Sequence, residues 1–154
     1  MLSTSSGSVR SGVRNEHLEI RAAVEAMEAA IGRLSDREPS AERTDQIVRG
    51  LQGLARQLGE HFAREEAPKG ILAMALGEAP RLDRRVLAVK RQHVSLGVQL
   101  RQVIADAGYA GTAPDAWRGV TGSFHDFAEA LRDHERGEDQ ILADAYLDDL
   151  GSGD

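Results

Sequence analysis

Apolar residues recur at intervals of three and four along four stretches of the chain, a spacing that places side chains on one face of an α-helix. The stretches run from Val13 to Leu34, from about residue 41 to 66, from Leu82 to about Gly108, and from about Pro114 to just before Gly151. No stretch shows the strict alternation of a half-buried strand. The pattern therefore predicts four amphipathic helices.

Short or moderate connectors separate these helices, which favours antiparallel neighbours. The fold class predicted is all-α, an antiparallel up-down-up-down four-helix bundle over residues 12–150. Residues 1–11 are polar and lack the helical pattern, so they are expected to form a flexible tail. The segment from Lys69 to Ala79 fits either a short helix or an apolar connector, and the pattern does not decide between them.

The composition is that of one globular domain, with 154 residues, 41% of them hydrophobic and 29% charged. The formal charge of −6 argues against a surface that neutralises nucleic-acid phosphates. The chain has no cysteine, which excludes disulfides, thiolate metal sites and iron–sulfur clusters. The start of the chain lacks the features of a secretory signal, and no apolar run is long enough for a membrane helix. A cytoplasmic protein with no nucleic-acid or membrane partner is therefore expected.

Four of the five histidines fall on the apolar stripes, one in each predicted helix. They are His17, His61, His93 and His134. If a core-facing stripe takes about three positions in seven, chance would place all four there in about 3% of cases. These histidines are therefore predicted to point into the core. His125 precedes His134 by nine residues, which turns it to the opposite side of the helix, so it is expected to face solvent.

Two of the core histidines are followed four residues later by a glutamate. The pairs are His61 with Glu65 and His134 with Glu138. Residues four apart share a helix face, and an unpaired buried carboxylate costs several kcal/mol. The stripes carry no Lys or Arg that would compensate these charges, whereas a divalent cation would satisfy carboxylates and imidazoles together. The adjacent Glu66 and Glu135 are expected on the surface.

Six ligands exceed the four that a tetrahedral zinc ion takes. Two ions bridged by both glutamates would each also keep two histidines and retain open coordination positions. All six side chains can share one layer if neighbouring helices are antiparallel. Mixed imidazole and carboxylate ligation with open positions favours non-haem iron, while manganese and zinc stay open on spacing alone.

This order of residues resembles the ligand set of one family, the hemerythrins, and specifically their HHE cation-binding domains. The matching residues are His17, His61-x-x-x-Glu65, His93 and His134-x-x-x-Glu138. The resemblance covers about residues 13 to 148 and implies a four-helix bundle. It also implies two iron ions (Fe2+/Fe3+), bridged by the carboxylates and by an oxo or hydroxo group, that react with dioxygen or related small molecules.

The sequence departs from the oxygen-carrying hemerythrins in one respect. Those proteins typically have a second histidine one turn away on the third helix, but the residues four positions from His93 are Val89 and Gly97. A five-histidine oxygen site is therefore not predicted.

Two other metal-binding patterns fit less well. Ferritin-like sites use Glu-x-x-His pairs, and none of the residues three positions before the core histidines is acidic. They are Arg14, Leu58, Lys90 and Leu131. His134-Glu135 is not a zinc-protease signature, because Glu138 stands where a second histidine is required.

The leading hypothesis is a di-iron protein that binds or reduces a small oxidant, namely dioxygen, hydrogen peroxide or nitric oxide. With four core histidines, turnover or sensing is favoured over reversible oxygen carriage. The alternative is a regulatory module that responds to iron or oxygen without turnover, and a third reading is a structural bundle with hydrogen-bonded core histidines. The sequence leaves open the oxidant, the electron donor, any enzymatic activity and the oligomeric state. Tyr146, two turns beyond Glu138, is expected to be structural.

Overall fold

The computed structural model describes residues 3–36 and 39–147, and all the regular structure in these ranges is helical. Four long helices form the bundle, with a short helix and a 3-10 turn between the second and third of them. The elements are α1 (Ser3–Ser35), α2 (Ala41–Glu66), α3 (Ile71–Glu78), a 3-10 turn (Pro80–Leu82), α4 (Asp83–Ala110) and α5 (Pro114–Leu147). The predicted all-α bundle is confirmed.

Local sequence signals explain where the helices begin. Ser40 precedes α2 in an extended conformation, and its hydroxyl oxygen accepts a hydrogen bond from the Arg43 backbone N–H at 3.2 Å. Pro114 is the first residue of α5, a position where a missing backbone N–H costs nothing. The expected span of residues 41 to 66 for the second helix agrees with α2.

The four long helices surround one core in a closed order. α1 packs beside α2 and α5, and α4 packs beside the same two helices. The segment that the sequence pattern left open contains α3, which packs against α2 and α5. Ile71, Leu72 and Ala75 of α3 are buried, which explains why this segment has an apolar composition.

The amino-terminal segment differs from the expected polar tail over residues 1–11, because α1 begins at Ser3. Val9 and Val13 pack against the apolar cluster formed by α3 and the neighbouring helix ends. The Arg10 guanidinium lies 4.7 Å from the centroid of the Tyr146 ring. These contacts are long-range, so helical periodicity within the segment could not reveal them. Residues 1–2, 37–38 and 148–150 of the predicted ranges lie outside the described residues.

Two apolar clusters fill the core on either side of the predicted metal layer. Along α1, His17 lies between Val13 of the smaller cluster and Ile20 of the larger one. Along α4, His93 lies between Val89 of the smaller cluster and Leu96 of the larger one. The same order, reversed along the chain, holds in α5, where Leu131 of the larger cluster precedes His134 and Ile141 of the smaller cluster follows Glu138. α2 ends at the layer, and the smaller cluster continues beyond it in α3. The polar layer is therefore enclosed by apolar side chains above and below.

None of the helices described is long and apolar enough to cross a membrane.

Candidate metal centre

The structure brings all six predicted ligands together in two overlapping groups. Metal position A comprises His17, His61, Glu65 and Glu138, and metal position B comprises Glu65, His93, His134 and Glu138. Within each group the potential donor atoms all lie within 4.8 Å of one another, and every residue is buried. Each position thus has two histidines of its own and shares both glutamates with the other.

The two carboxylates each direct one oxygen toward each position. Glu65 Oε1 lies 3.2 Å from His17 Nε2 and 2.8 Å from His61 Nε2, while its Oε2 lies 3.2 Å from His93 Nε2. Glu138 Oε2 lies 3.3 Å from His17 Nε2, while its Oε1 lies 3.1 Å from His93 Nε2 and 2.6 Å from His134 Nε2. Each carboxylate could therefore contribute one oxygen to an ion at either position.

Two of these buried atoms have no hydrogen-bond partner. Glu65 Oε2 lies 3.2 Å from His93 Nε2, and His134 Nε2 lies 2.6 Å from Glu138 Oε1, yet neither of the two atoms makes a hydrogen bond. Buried polar atoms of this kind are costly unless something satisfies them. The orphaned oxygen and nitrogen and the mixed imidazole and carboxylate donor set both fit divalent cations.

Three of the four imidazoles make a hydrogen bond through Nδ1, the ring nitrogen that does not face the shared glutamates. His61 Nδ1 lies 2.6 Å from Glu16 Oε2, His93 Nδ1 lies 2.7 Å from Glu66 Oε1, and His134 Nδ1 lies 2.7 Å from Gln92 Oε1. An amide or carboxylate oxygen only accepts, so each Nδ1 donates. In a neutral ring the Nε2 then carries a lone pair directed at the shared glutamates, which is the tautomer that a metal ligand requires.

These partners follow one rule around the bundle. Each partner is adjacent in sequence to a predicted ligand of its own helix. Its side chain accepts a hydrogen bond from a histidine of a neighbouring helix: Glu16 of α1 from α2, Glu66 of α2 from α4, and Gln92 of α4 from α5. The fourth such residue, Glu135 beside His134, reaches from α5 to α1, where it accepts a hydrogen bond from Arg21 at 3.1 Å. Arg21 lies one turn beyond His17.

The sequence did not identify these partners. Glu66 is exposed, as expected, but it contacts His93, and the expectation that Glu135 lies on the surface is wrong because only 4% of it is exposed. Burial of this carboxylate is tolerated because Arg21 compensates it from the neighbouring helix. The one sequence feature that these residues share is that each is adjacent to a predicted ligand. Adjacency does not indicate which neighbouring helix a side chain contacts.

Phe62 closes one side of the layer. Its ring stacks on the His93 ring with centroids 4.0 Å apart and an interplanar angle of 13°, and its edge meets His134 at 5.5 Å. Val89, one turn before His93, is buried in the smaller apolar cluster. Apolar side chains therefore limit the access of water to this side of the site.

The two residues whose roles the sequence left open lie outside both groups. His125 is exposed, as expected, and its Nδ1 lies 2.9 Å from Glu28 Oε1. Tyr146 lies beside the smaller apolar cluster under Arg10, and its buried hydroxyl has no hydrogen-bond partner in the described part of the chain.

Mutual interactions shift the pKa values of the site strongly. Burial alone would lower the pKa of His17, but hydrogen bonds and charges from Glu138 and Glu65 outweigh burial and raise it to about 10. The same balance raises the pKa of His93 to about 9. Burial alone would raise the pKa of Glu65, yet its close contacts with His17, His61 and His93 lower it to about 2. The carboxylates therefore favour a compensating positive charge, supplied either by protons or by metal ions.

This competition predicts a pH dependence for the stabilisation by metal. The stabilisation that a protonated His17 gives the metal-free fold is complete below its ordinary pKa of 6.5 and is lost as the pH rises through about 10. The stabilisation that ionised Glu65 gives the metal-free fold is complete above its ordinary pKa of 4.5 and is lost as the pH falls through about 2. Metal must displace the imidazole protons, so the gain in melting temperature on adding Mn2+ should grow from about pH 6 to about pH 8. A constant or shrinking gain in thermal unfolding experiments would contradict this.

The Nδ1 partners should matter for metal affinity. Replacing Glu66 with Ala frees the His93 ring, and we expect metal affinity to fall by roughly 10- to 100-fold, as is typical for such partners. Glu66→Gln keeps an accepting oxygen and should lose less. The matched control is Glu60→Ala, an exposed residue of the same helix. Competition with a chromophoric chelator measures the affinities, and equal values for the two alanine variants would refute the role.

One protein family matches the chain. The family model described as "Hemerythrin HHE cation binding domain" matches residues 11–146, which is most of the chain. No curated protein and no solved structure matches significantly.

Proposed function

The chain belongs to the hemerythrin HHE cation-binding family, and on this basis we propose that it holds two iron ions and binds or reduces a small oxidant. The candidate oxidants are dioxygen, hydrogen peroxide and nitric oxide. One observation carries the proposal: two groups of donors share both glutamates and keep two histidines each. The cytoplasmic location expected from the sequence stays a prediction.

The donor set supports iron as the occupant. Each position offers two imidazole nitrogens and an oxygen from each of two carboxylates, so an iron ion held there would keep room for small ligands. When bound, a pair of iron ions supplies electrons that can pass to an oxidant. Manganese and zinc compete for such donors, so the identity of the metal is part of what the experiment must test.

The protein's own residues prepare the site for this chemistry. Glu16, Glu66 and Gln92 orient three imidazoles before any ion arrives, so little reorganisation is needed on binding. Phe62 and the two apolar clusters keep the layer dry, which strengthens its electrostatic interactions. Oxygen-carrying hemerythrins typically place a further histidine one turn from the one that His93 matches, but Val89 and Gly97 stand four positions before and after His93. We therefore favour turnover or sensing over reversible oxygen carriage.

The test begins with metal analysis and an absorption spectrum of the aerobically purified protein. We expect about two iron ions per chain and absorption bands of a ferric centre. The rate of peroxide loss is then compared with that of the same concentration of free iron. If peroxide is lost no faster than with free iron, the protein does not reduce peroxide. If the protein takes up no iron at all, the whole proposal is wrong.

A regulatory role is the second candidate, and the position of the site between two apolar clusters favours it. The smaller cluster joins α3 to the ends of the other helices through Ile71, Val86 and Ile141, and without metal it borders a layer of buried polar groups. Occupancy would then control how firmly this end of the bundle packs. Hydrogen exchange with and without Fe2+ should show protection gained in α3. Uniform protection across the bundle would argue against a metal-dependent switch.

A further inference from the structure

The outer face of α4 is apolar where solvent-facing helix surfaces are usually polar. Four large hydrophobic side chains lie there with 47%, 68%, 52% and 92% of their surface exposed. They are Leu87, Val94, Val98 and Tyr109. Among the described residues, Leu18 on α1 is the one other large hydrophobic side chain so exposed. The spacing of seven, four and eleven residues places the four side chains on one stripe, which also includes the exposed Arg91, Arg101 and Ala105.

This outer stripe lies in a segment that lacks acidic residues. The chain contains 25 Asp and Glu, yet none falls between Arg84 and Ala105, where there are five Arg and Lys. No described carboxylate lies within ion-pair distance of Arg91 or Arg101. By contrast, the arginines of α5 all pair with carboxylates. The pairs are Arg118 with Asp115, Arg132 with Glu28, and Arg136 with Asp133.

We propose that the outer stripe of α4 docks an acidic amphipathic helix of a partner protein. Leu87, Val94 and Val98 would pack against the apolar face of that helix, and Arg91 and Arg101 would meet its flanking carboxylates. The stripe extends about 33 Å from Leu87 to Tyr109 at 1.5 Å per residue, enough for about six helical turns of partner. The proposal does not depend on the identity of the bound metal.

Charge favours this occupant over two others. A second copy of the chain, with its α4 packed antiparallel on this one, would bring Arg91 and Arg101 of both copies together with no stripe carboxylate between them. An anionic membrane is extended, so beyond α4 it would also face acidic surface and be repelled there, whereas a single helix would contact α4 alone. The helix carries five basic and two acidic residues in a chain whose formal charge is −6, so the remaining surface is strongly acidic.

The test uses a fluorescein-labelled helical peptide of Leu, Ala and Glu, with leucines along one face and glutamates beside them. Fluorescence anisotropy measures its binding to the metal-loaded protein. We expect saturable binding that weakens as salt is raised and that weakens at least about tenfold when the peptide glutamates become glutamines. The double variants Val94→Ser with Val98→Ser, and Arg91→Glu with Arg101→Glu, should each weaken binding by a similar factor. Leu18→Ser, an equally exposed apolar position on α1, should not.

Circular dichroism and metal content establish that each variant is folded. The proposal is overturned if the peptide does not bind, or if the α4 variants bind it as well as wild type does. Two further results would assign the stripe elsewhere. A dimer in sedimentation equilibrium that Val98→Glu dissociates would identify a second copy. Binding to phosphatidylserine vesicles that requires Val94 and Val98, without peptide binding, would identify a membrane surface.

Discussion

Replacing Glu138 with Ala should remove both metal ions, whereas replacing His134 with Gln should remove only the ion at position B. The difference arises because Glu138 directs Oε2 toward His17 and Oε1 toward His93 and His134. Loss of a residue that belongs to both positions should abolish binding at both of them. Each histidine belongs to one position, so its loss should affect that position alone. We expect about two ions per chain in wild type, about one in His134→Gln and fewer than one in Glu138→Ala.

Metal analysis and thermal unfolding together check this prediction. The rise in melting temperature that metal produces in wild type should vanish in Glu138→Ala and persist in part in His134→Gln. Asp139→Ala is the matched control, since Asp139 is the exposed neighbour of Glu138. Retention of two ions by Glu138→Ala would show that the glutamates do not bridge.

The second large effect is expected at Gly70, where α2 gives way to α3. Gly70 has an ordinary φ of −76°, so the glycine is not needed for its backbone conformation. It is needed for space: a Cβ there would lie 2.4 Å from the carbonyl oxygens of both Arg64 and Glu65. These are backbone atoms in the last turn of α2, and moving them moves Glu65, which belongs to both donor groups.

Gly70→Ala should therefore destabilise the protein by about 1–3 kcal/mol, as overpacking usually does. For a chain of this size we expect the melting temperature to fall by about 2–12 °C, with weaker metal binding as well. Gly77→Ala is the control, because nothing lies within 4 Å of a Cβ there and alanine is the better helix former in α3. Gly77→Ala should leave stability unchanged or slightly raised. Equal effects of the two substitutions would contradict the steric explanation.

The paired design also separates the site from the fold. Gly70→Ala should lower stability even in the metal-free protein, since its clash is with backbone. Glu138→Ala should chiefly abolish the additional stability that metal confers. Unfolding curves recorded with chelator and with metal distinguish these two behaviours for each variant.

The amino-acid sequence by itself determined the four long helices and the six inward-facing candidate ligands. Helix periodicity is a local property, so the apolar stripes could be read directly, and His17, His61, His93 and His134 stood on them. The helix starts are equally local: the Ser40 hydroxyl caps α2, and Pro114 lacks a backbone N–H that the first residue of α5 does not need. The chain could therefore be recognised as a bundle with a mixed imidazole and carboxylate layer.

Only the tertiary structure decided how that layer is built. Glu16, Glu66 and Gln92 lie off the stripes, and whether they reach sideways to a ligand on the next helix depends on how the helices are rotated against one another. Glu135 is buried because Arg21 approaches from another helix, and α1 extends to Ser3 because Val9 finds a distant apolar cluster. In each case the deciding contact joins residues far apart in the chain, which no local periodicity encodes.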